Sequence, residues 1–538
     1  MYKKVLTMLL LFTLIAAFSS QSVFAVENVD SIDFSASEDS ANDNRMGKNN
    51  SRVISNNFFD ASDEDSSVES EDNIVSTAFS ASILQGNTQS ASDCHVIYNK
   101  LFYKPYTLFD IGWTWHNEYY FEEDPQRASH IDFIQGGDRT LMYYSGHGSK
   151  SDGVPKLNAN ASVTYGLFSP FTVSSVLNVS SDNWQNDCTW KNKEIKVLIL
   201  ATCHQLDSSI VKYYGRIMRA SNIRAIAGYH EPAPIQPTDE SIATWFMNYA
   251  AQGNSVWFSW QHANWNTVNG YQDWAVLVYN ENSNQYYRLP GFPGNTYPTP
   301  SSNATVYRYA SFINGFLPVP LTAGSTNTLL GSSDNLPYEF LISSRDKTDA
   351  FFEQSRETSD PTDRLGNVNV TLDAKDYADQ YINELLPEED FNRTVCMIES
   401  VIREEVNPDT GIVEGSDHLV EKTYTYYNTY NGVKVVDNYI KIGVDCDGIN
   451  TVLNKWYTLN PKVGEANHGS ESKTLTRDTA LETALRLATS KDRNTTLLCE
   501  QYAYYPVDSE RYILCYEFIL GQTAYYIDIH TGVCLNEG

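Results

Sequence analysis

A histidine and a cysteine, each standing just after its own apolar run, carry the chemistry most readily seen in this chain. The first run reads Thr140-Leu-Met-Tyr-Tyr-Ser-Gly-His147-Gly148-Ser149, the second Lys196-Val-Leu-Ile-Leu-Ala-Thr-Cys203-His204-Gln205. Short apolar runs flanked by turn formers predict buried strands of a parallel sheet. In such sheets the active site gathers at the carboxyl ends of the strands. His147 and Cys203 are therefore expected at one edge, whether or not their strands are neighbours. A thiolate is the reactive form of cysteine, and a nearby imidazole promotes it. Gly148 lacks a side chain, so its N–H can approach a developing oxyanion closely. Taken singly, each feature has an ordinary explanation: a buried cysteine is often a small hydrophobe, and Gly-His-Gly is often a turn. Their order and spacing, with a helix and a further strand following, favour catalysis. His204 competes for the role of base, but adjacent side chains at a strand end point apart, which leaves it a neighbour of the site. His230 and His262 are expected to be structural.

The pattern of an apolar block with His-Gly, then an apolar block with Cys, resembles the caspase/gingipain/clostripain class of cysteine peptidases. Cys203 follows His147 by 56 positions, close to the caspase spacing of roughly 50. Ala201-Thr-Cys-His-Gln-Leu-Asp207, Ala225-Ile-Ala-Gly-Tyr-His230 and Trp257-Phe-Ser-Trp-Gln-His-Ala-Asn264 are similar to a group of secreted bacterial caspase-like domains. The resemblance spans roughly residues 94–290. It implies a secreted cysteine endopeptidase acting on polypeptide, with Cys203 as nucleophile and His147 as general base. The oxyanion hole it implies is the N–H of Gly148 and that of Cys203. Family members usually carry Ala or Ser before the cysteine, where this chain has Thr202. No third triad member is required by the class. Asp207 and Asp239 are the acidic candidates for receiving a basic substrate side chain. The alternative reading is a non-catalytic secreted binding protein that kept the fold. No metal or other cofactor is expected, because His147, Cys203 and His204 fall short of a closed four-ligand site.

The elements that must hold these residues alternate. Asp207–Arg219 predicts a helix with Asp207 as its N-cap, Ile223–Gly228 a strand, and Thr238–Gln252 a helix with acidic residues in its first turn. Ser255–Asn264 predicts another helix and Trp274–Tyr279 a last strand. The expected fold class is therefore α/β: a caspase-like three-layer domain with a mostly parallel sheet over residues 92–290. Residues 291–367, rich in Pro, Gly, Ser and Thr, predict a loop-rich connector with a few strands. Asp373–Leu386 then predicts an amphipathic helix stopped by Pro387, and Asn431-Gly432 marks a hairpin.

Tyr430-Asn-Gly-Val-Lys-Val435 and Ile442-Gly-Val-Asp-Cys-Asp-Gly-Ile449 resemble the propeptide (FTP) domain of thermolysin-type precursors and fungalysins, over residues 368–460. Leu475-Thr-Arg-Asp-Thr-Ala-Leu-Glu-Thr-Ala-Leu485 and Tyr525-Tyr-Ile-Asp-Ile-His-Thr-Gly-Val533 resemble a PepSY domain, over 470–538. Both resemblances imply α+β modules, a helix packed on an antiparallel sheet, of the kind that restrains an attached peptidase. Yet no His-Glu-x-x-His occurs. The expectation is that residues 368–538 fold without the catalytic domain and inhibit it intramolecularly by covering the edge of His147 and Cys203. The other reading makes them accessory binding domains.

Met1-Tyr-Lys-Lys, the apolar stretch Val5–Phe18 and Val23-Phe-Ala25 predict a signal peptide over residues 1–25, cut near Ala25, and hence an extracellular bacterial protein. Residues 26–91, as in Asp60-Ala-Ser-Asp-Glu-Asp-Ser-Ser-Val-Glu-Ser-Glu-Asp72, predict a disordered acidic segment. The 38 Lys and Arg against 67 Asp and Glu give a net charge of −29, which argues against nucleic acid and anionic membrane as partners. Eight cysteines in 538 residues are too sparse for a disulfide scaffold. Cys499 and Cys515, on adjoining predicted strands, are the pair close enough in sequence to consider.

Overall fold

A sheet buried between two helix layers needs apolar side chains on both faces of its strands, and the first strands have them. The computed structural model describes residues 93, 96–97, 100–101, 137, 140–157, 171–234, 238–280, 287–289, 304–317, 336–342, 352–355, 368–386, 395–459, 474–490 and 493–536. The expected signal peptide and acidic segment lie outside the described residues. Strands β1 (Leu141–Ser145), β2 (Val197–Ala201) and β3 (Ala225–Tyr229) are adjacent and parallel. Met142, Tyr144, Leu198, Leu200 and Ile226 pack on one face with helix α1 (Val211–Ala220). Leu141, Tyr143, Val197, Ile199 and Ala227 pack on the other with α2 (Thr238–Ala251) and α3 (Val256–Trp265). Ser255 caps α3, its Oγ accepting the Phe258 N–H at 3.1 Å.

The parallel order stops after three of the described strands, which corrects the mostly parallel expectation. β4 (Trp274–Asn280) runs antiparallel to β3, and β5 (Thr305–Leu317) antiparallel to β4. A buried strand has the same apolar content in either direction, so periodicity carries no sign of its polarity. β5, in the segment read as a connector, continues the sheet into the second half of the chain. β6 (Val395–Asn407) pairs with it from Cys396↔Leu317 to Val406↔Val306. β7 (His418–Tyr430), β8 (Val433–Asp445) and β9 (Gly448–Asn454) extend the antiparallel run. β10 (Leu497–Pro506) meets β8 in a short parallel contact, and β11 (Arg511–Leu520) and β12 (Thr523–Asp528) follow it. With three short strands joined to them, these make one mixed fifteen-stranded sheet among the described residues.

Helix α4 (Ala374–Leu385) sets Ala374, Ala378 and Ile382 on β7, β8 and β9. Helix α5 (Arg477–Ser490) sets Ala480, Ala484 and Ala488 among Leu514, Phe518 and Tyr525. The turn at Asn431-Gly432 has positive φ at both residues, 51° and 76°, as a two-residue hairpin requires. Cys499 lies opposite Ile519 and Cys515 opposite Ala503, so the two are offset along their strands, and both are free thiols.

The described residues beyond position 69 group into one compact unit, in which the carboxy-terminal half, expected to fold by itself, shares a sheet with the first half. Beyond the β5–β6 ladder, the loop after α3 is bound into the distal sheet. Tyr439 Oη donates to the carbonyls of Trp265 at 2.9 Å and Thr267 at 2.8 Å, Tyr427 Oη to Asn269 at 2.7 Å, and Lys441 Nζ to Gly270 at 2.5 Å. Buried polar contacts of this kind allow one docking geometry and penalise others. Among the described residues no helix is long and apolar enough to cross a membrane.

Candidate active site

β1 and β2 are direct neighbours, with Ser145 opposite Ala201. His147 and Cys203 each lie two residues beyond that last pair, at equal reach past strands that stand roughly 4.8 Å apart. Gly146, at φ 157°, turns the chain out of β1. Gly148 then lies flat on the cysteine loop. A Cβ at this position would come within 2.4 Å of Thr202 Oγ1, 2.6 Å of the Cys203 carbonyl oxygen and 2.7 Å of Gln205 Nε2. Only glycine fits so close an approach. Sequence and fold thus agree in bringing His147, Gly148 and Cys203 to one edge.

The nucleophile loop is held in an uncommon conformation. His204 has φ 60°, a left-handed value that non-glycine residues seldom adopt outside functional turns. Its N–H donates to the Glu231 carbonyl at 3.1 Å, and its own carbonyl accepts from the Asp207 N–H at 3.2 Å. Cys203 is half-buried, and its Sγ accepts the Ala233 N–H at 3.3 Å. His147 is also half-buried, and burial holds its pKa below the ordinary 6.5.

Gln205, which the sequence motifs do not single out, ties the two loops together. Its fully buried amide nitrogen donates to the carbonyls of Cys203 at 3.0 Å, Lys156 at 3.2 Å and Ser149 at 3.3 Å. Its Oε1 accepts from Tyr214 Oη at 2.5 Å. Ser149 and Lys156 belong to the small hairpin that follows His147, in which Gly148–Ser149 pair with Lys156–Leu157. One side chain therefore spans the histidine hairpin and the cysteine loop. No spacing rule marks it, because its partners are backbone carbonyls distant in sequence.

Asp207 makes a second bridge and is not an open acidic site. Its carboxylate takes an ion pair from Lys150 at 2.6 Å and hydrogen bonds from the N–H and Oγ of Ser209. Burial pushes its pKa up, but these bonds outweigh that and hold it below the ordinary carboxylate value. The expected helix also starts later, at Val211, because Asp207 spends its side chain on the turn that precedes it. Asp239 sits in the first turn of α2 beside the buried Asp93. Burial is the first cause that raises both, Asp239 to about 6 and Asp93, with Asp239 as its next cause, to about 8. Ser145 Oγ donates to Asp93 Oδ2 at 3.0 Å. Tyr229 Oη, pushed well up by burial, also feels Asp239, Asp93 and Cys203. This carboxyl pair therefore lies on the Cys203 side of the sheet.

A carboxyl held at about 8 keeps its proton in the folded chain where the unfolded chain, at 3.8, has lost it. Between those values folding binds a proton, so this group's contribution to stability falls as pH rises. Asp93→Asn should raise Tm, and by more near pH 8 than near pH 5, in differential scanning calorimetry. A gain that does not vary over that interval would mean that Asp93 ionises normally in the fold.

His230 and His262, expected to be structural, are both buried. His230 is fully buried, hydrogen-bonded through Nε2 to the Ser311 carbonyl at 2.8 Å, and burial drives its pKa down to about 3. His262 stacks on Phe258 at 3.7 Å between ring centres. Compared with known proteins, the chain matches no family model and no curated protein.

Proposed function

We propose that this chain is a secreted cysteine endopeptidase whose residues 92–290 form a caspase-like catalytic part. Cys203 Sγ attacks the scissile carbonyl as its proton passes to His147. The N–H groups of Gly148 and Cys203 receive the oxyanion. Collapse of the tetrahedral intermediate breaks the C–N bond, and the leaving amine takes the proton from His147. Water, deprotonated by His147, then hydrolyses the thioester and frees Cys203. The observation that carries this reading is the matched register: His147 and Cys203 stand two residues past one strand pair, with Gly148 pressed on the cysteine loop. Asp239 is the acidic candidate for a basic side chain in the substrate residue before the cut, while Asp93 beside it, held protonated, adds no charge. Asp207 is not such a candidate, because Lys150 already neutralises it.

A base whose pKa is lowered by burial stays unprotonated to lower pH. The acid limb of kcat/KM should therefore fall below pH 6.5, the ordinary value for His147. Iodoacetamide should abolish turnover in step with the adduct at Cys203, followed by peptide mass mapping, while the adduct at the exposed Cys446 should leave turnover unchanged. An acid limb above that value would remove His147 as the base, and full activity after alkylation of Cys203 would remove the peptidase.

A further inference from the structure

We propose that an acidic groove beside the active-site edge, built jointly by both halves of the chain, is a second substrate site. It would hold a lysine- or arginine-bearing stretch several residues from the cut. The inference rests on the peptidase reading for the word substrate, but the groove itself does not. It measures about 510 Å³ and lies between Phe312 and Asn314 of β5, Ile402 and Glu404 of β6, and the turn carrying Ile412, Glu414 and Asp417. That size is typical of a ligand site.

Both walls abut the nucleophile loop. Phe312 packs on the His230 ring, 4.8 Å between centres, and the adjacent Glu231 carbonyl holds the His204 N–H. On the other side, a Cβ on Gly411 would lie 3.9 Å from the Ser208 carbonyl oxygen. From β2, which carries Cys203, to β5 is three strand steps, about 14 Å at roughly 4.8 Å each. An extended peptide covers that span in about four residues, at roughly 3.3 Å per residue. A substrate seated at Cys203 therefore reaches the groove with residues roughly four to six positions from the scissile bond.

The lining favours a basic occupant. Glu404 is neutralised by Arg308, so the negative charge comes from Glu414 and Asp417, both exposed. Phe312, Ile402 and Ile412 supply apolar surface beneath them. Lysine and arginine suit such a lining, because their stems lie on apolar surface while their heads reach carboxylates. An acidic peptide would meet only repulsion. The second half of the chain would thus act as part of the substrate surface.

The test uses the full mature chain. Binding of a fluorescein-labelled tetralysine peptide and a tetraglutamate peptide is measured by anisotropy on the Cys203→Ala protein, with and without Glu414→Lys and Asp417→Lys. Circular dichroism checks the fold, and Glu414→Gln with Asp417→Asn serves as a milder pair. Tetralysine should bind and tetraglutamate should not. Charge reversal should weaken tetralysine binding roughly tenfold at low salt, and salt should erase the difference. Equal binding to native and reversed proteins would overturn the site. In parallel, the active chain is given peptides with one cleavage site and either lysines or glutamates five positions away. Hydrolysis that ignores the distal residues would defeat this inference alone. Charge-dependent binding with no hydrolysis of any peptide would keep the groove and defeat the peptidase.

Discussion

Cys203→Ala should lower peptide hydrolysis by three orders of magnitude or more, on the scale of removing a catalytic nucleophile, and leave the fold intact. The two parts of this expectation have separate grounds. The catalytic loss follows because alanine cannot form the thioester, and the other free thiols among the described residues, Cys499 and Cys534 included, belong to other elements. Cys188 and Cys515 are buried, and Cys446 sits in the turn after β8. The tolerance of the fold follows from position. Cys203 is half-buried beyond the last pair of β2, so truncation opens no deep cavity. It removes one acceptor, from the Ala233 N–H, at about 1 kcal/mol. His147→Ala should behave in the same way. The assay is a panel of peptides varied at the residue before the cut, with circular dichroism alongside. Unchanged turnover in Cys203→Ala would leave the secreted binding protein as the better reading.

A chain ending near residue 345 should fail to fold, rather than emerge as a freed, more active enzyme. Such a truncation strips β6 from the whole length of β5 and exposes a long strand edge, a known route to aggregation. It also takes the partners of four buried or part-buried carbonyls, those of Trp265, Thr267, Asn269 and Gly270. Water can replace those partners, but the apolar cluster that Trp265, Tyr271 and Ile313 share with Met397, Tyr427, Val436 and Tyr439 is lost as well. Each large side chain left exposed costs about 1.5–3 kcal/mol, and together they rival the total of roughly 5–15 kcal/mol that holds a domain folded. The truncated chain should be insoluble, or soluble without a cooperative melting transition. A soluble, cooperatively melting fragment that is more active than the full chain would restore an inhibitory role for residues 368–538.

How much of this was legible beforehand depended on the range of each interaction. The helices at 238–251 and 256–265 and the hairpin at Asn431-Gly432 follow from side-chain periodicity and turn chemistry, which act between residues a few positions apart. So does the placing of His147 and Cys203 just after their strands. The register that sets them level, two residues past Ser145 and Ala201, needed the pairing of β1 with β2. Gln205 and the Lys150–Asp207 pair join segments more than fifty residues apart, so no local pattern announces them. Asp93 shows the same limit: an ordinary carboxyl in sequence, it becomes a raised, buried one only when β1 and α2 close around it. The direction of β4 and the continuity of the sheet through β5 were hidden for a related reason. An apolar run specifies that a strand is buried, but which neighbour it pairs with, and in which sense, is decided by the packing of the whole chain. The sequence by itself thus determined the reactive residue types and the elements that carry them. The tertiary structure decided their register and ion pairs, and the fusion of two apparent halves into one sheet, because those depend on contacts between residues far apart in the chain.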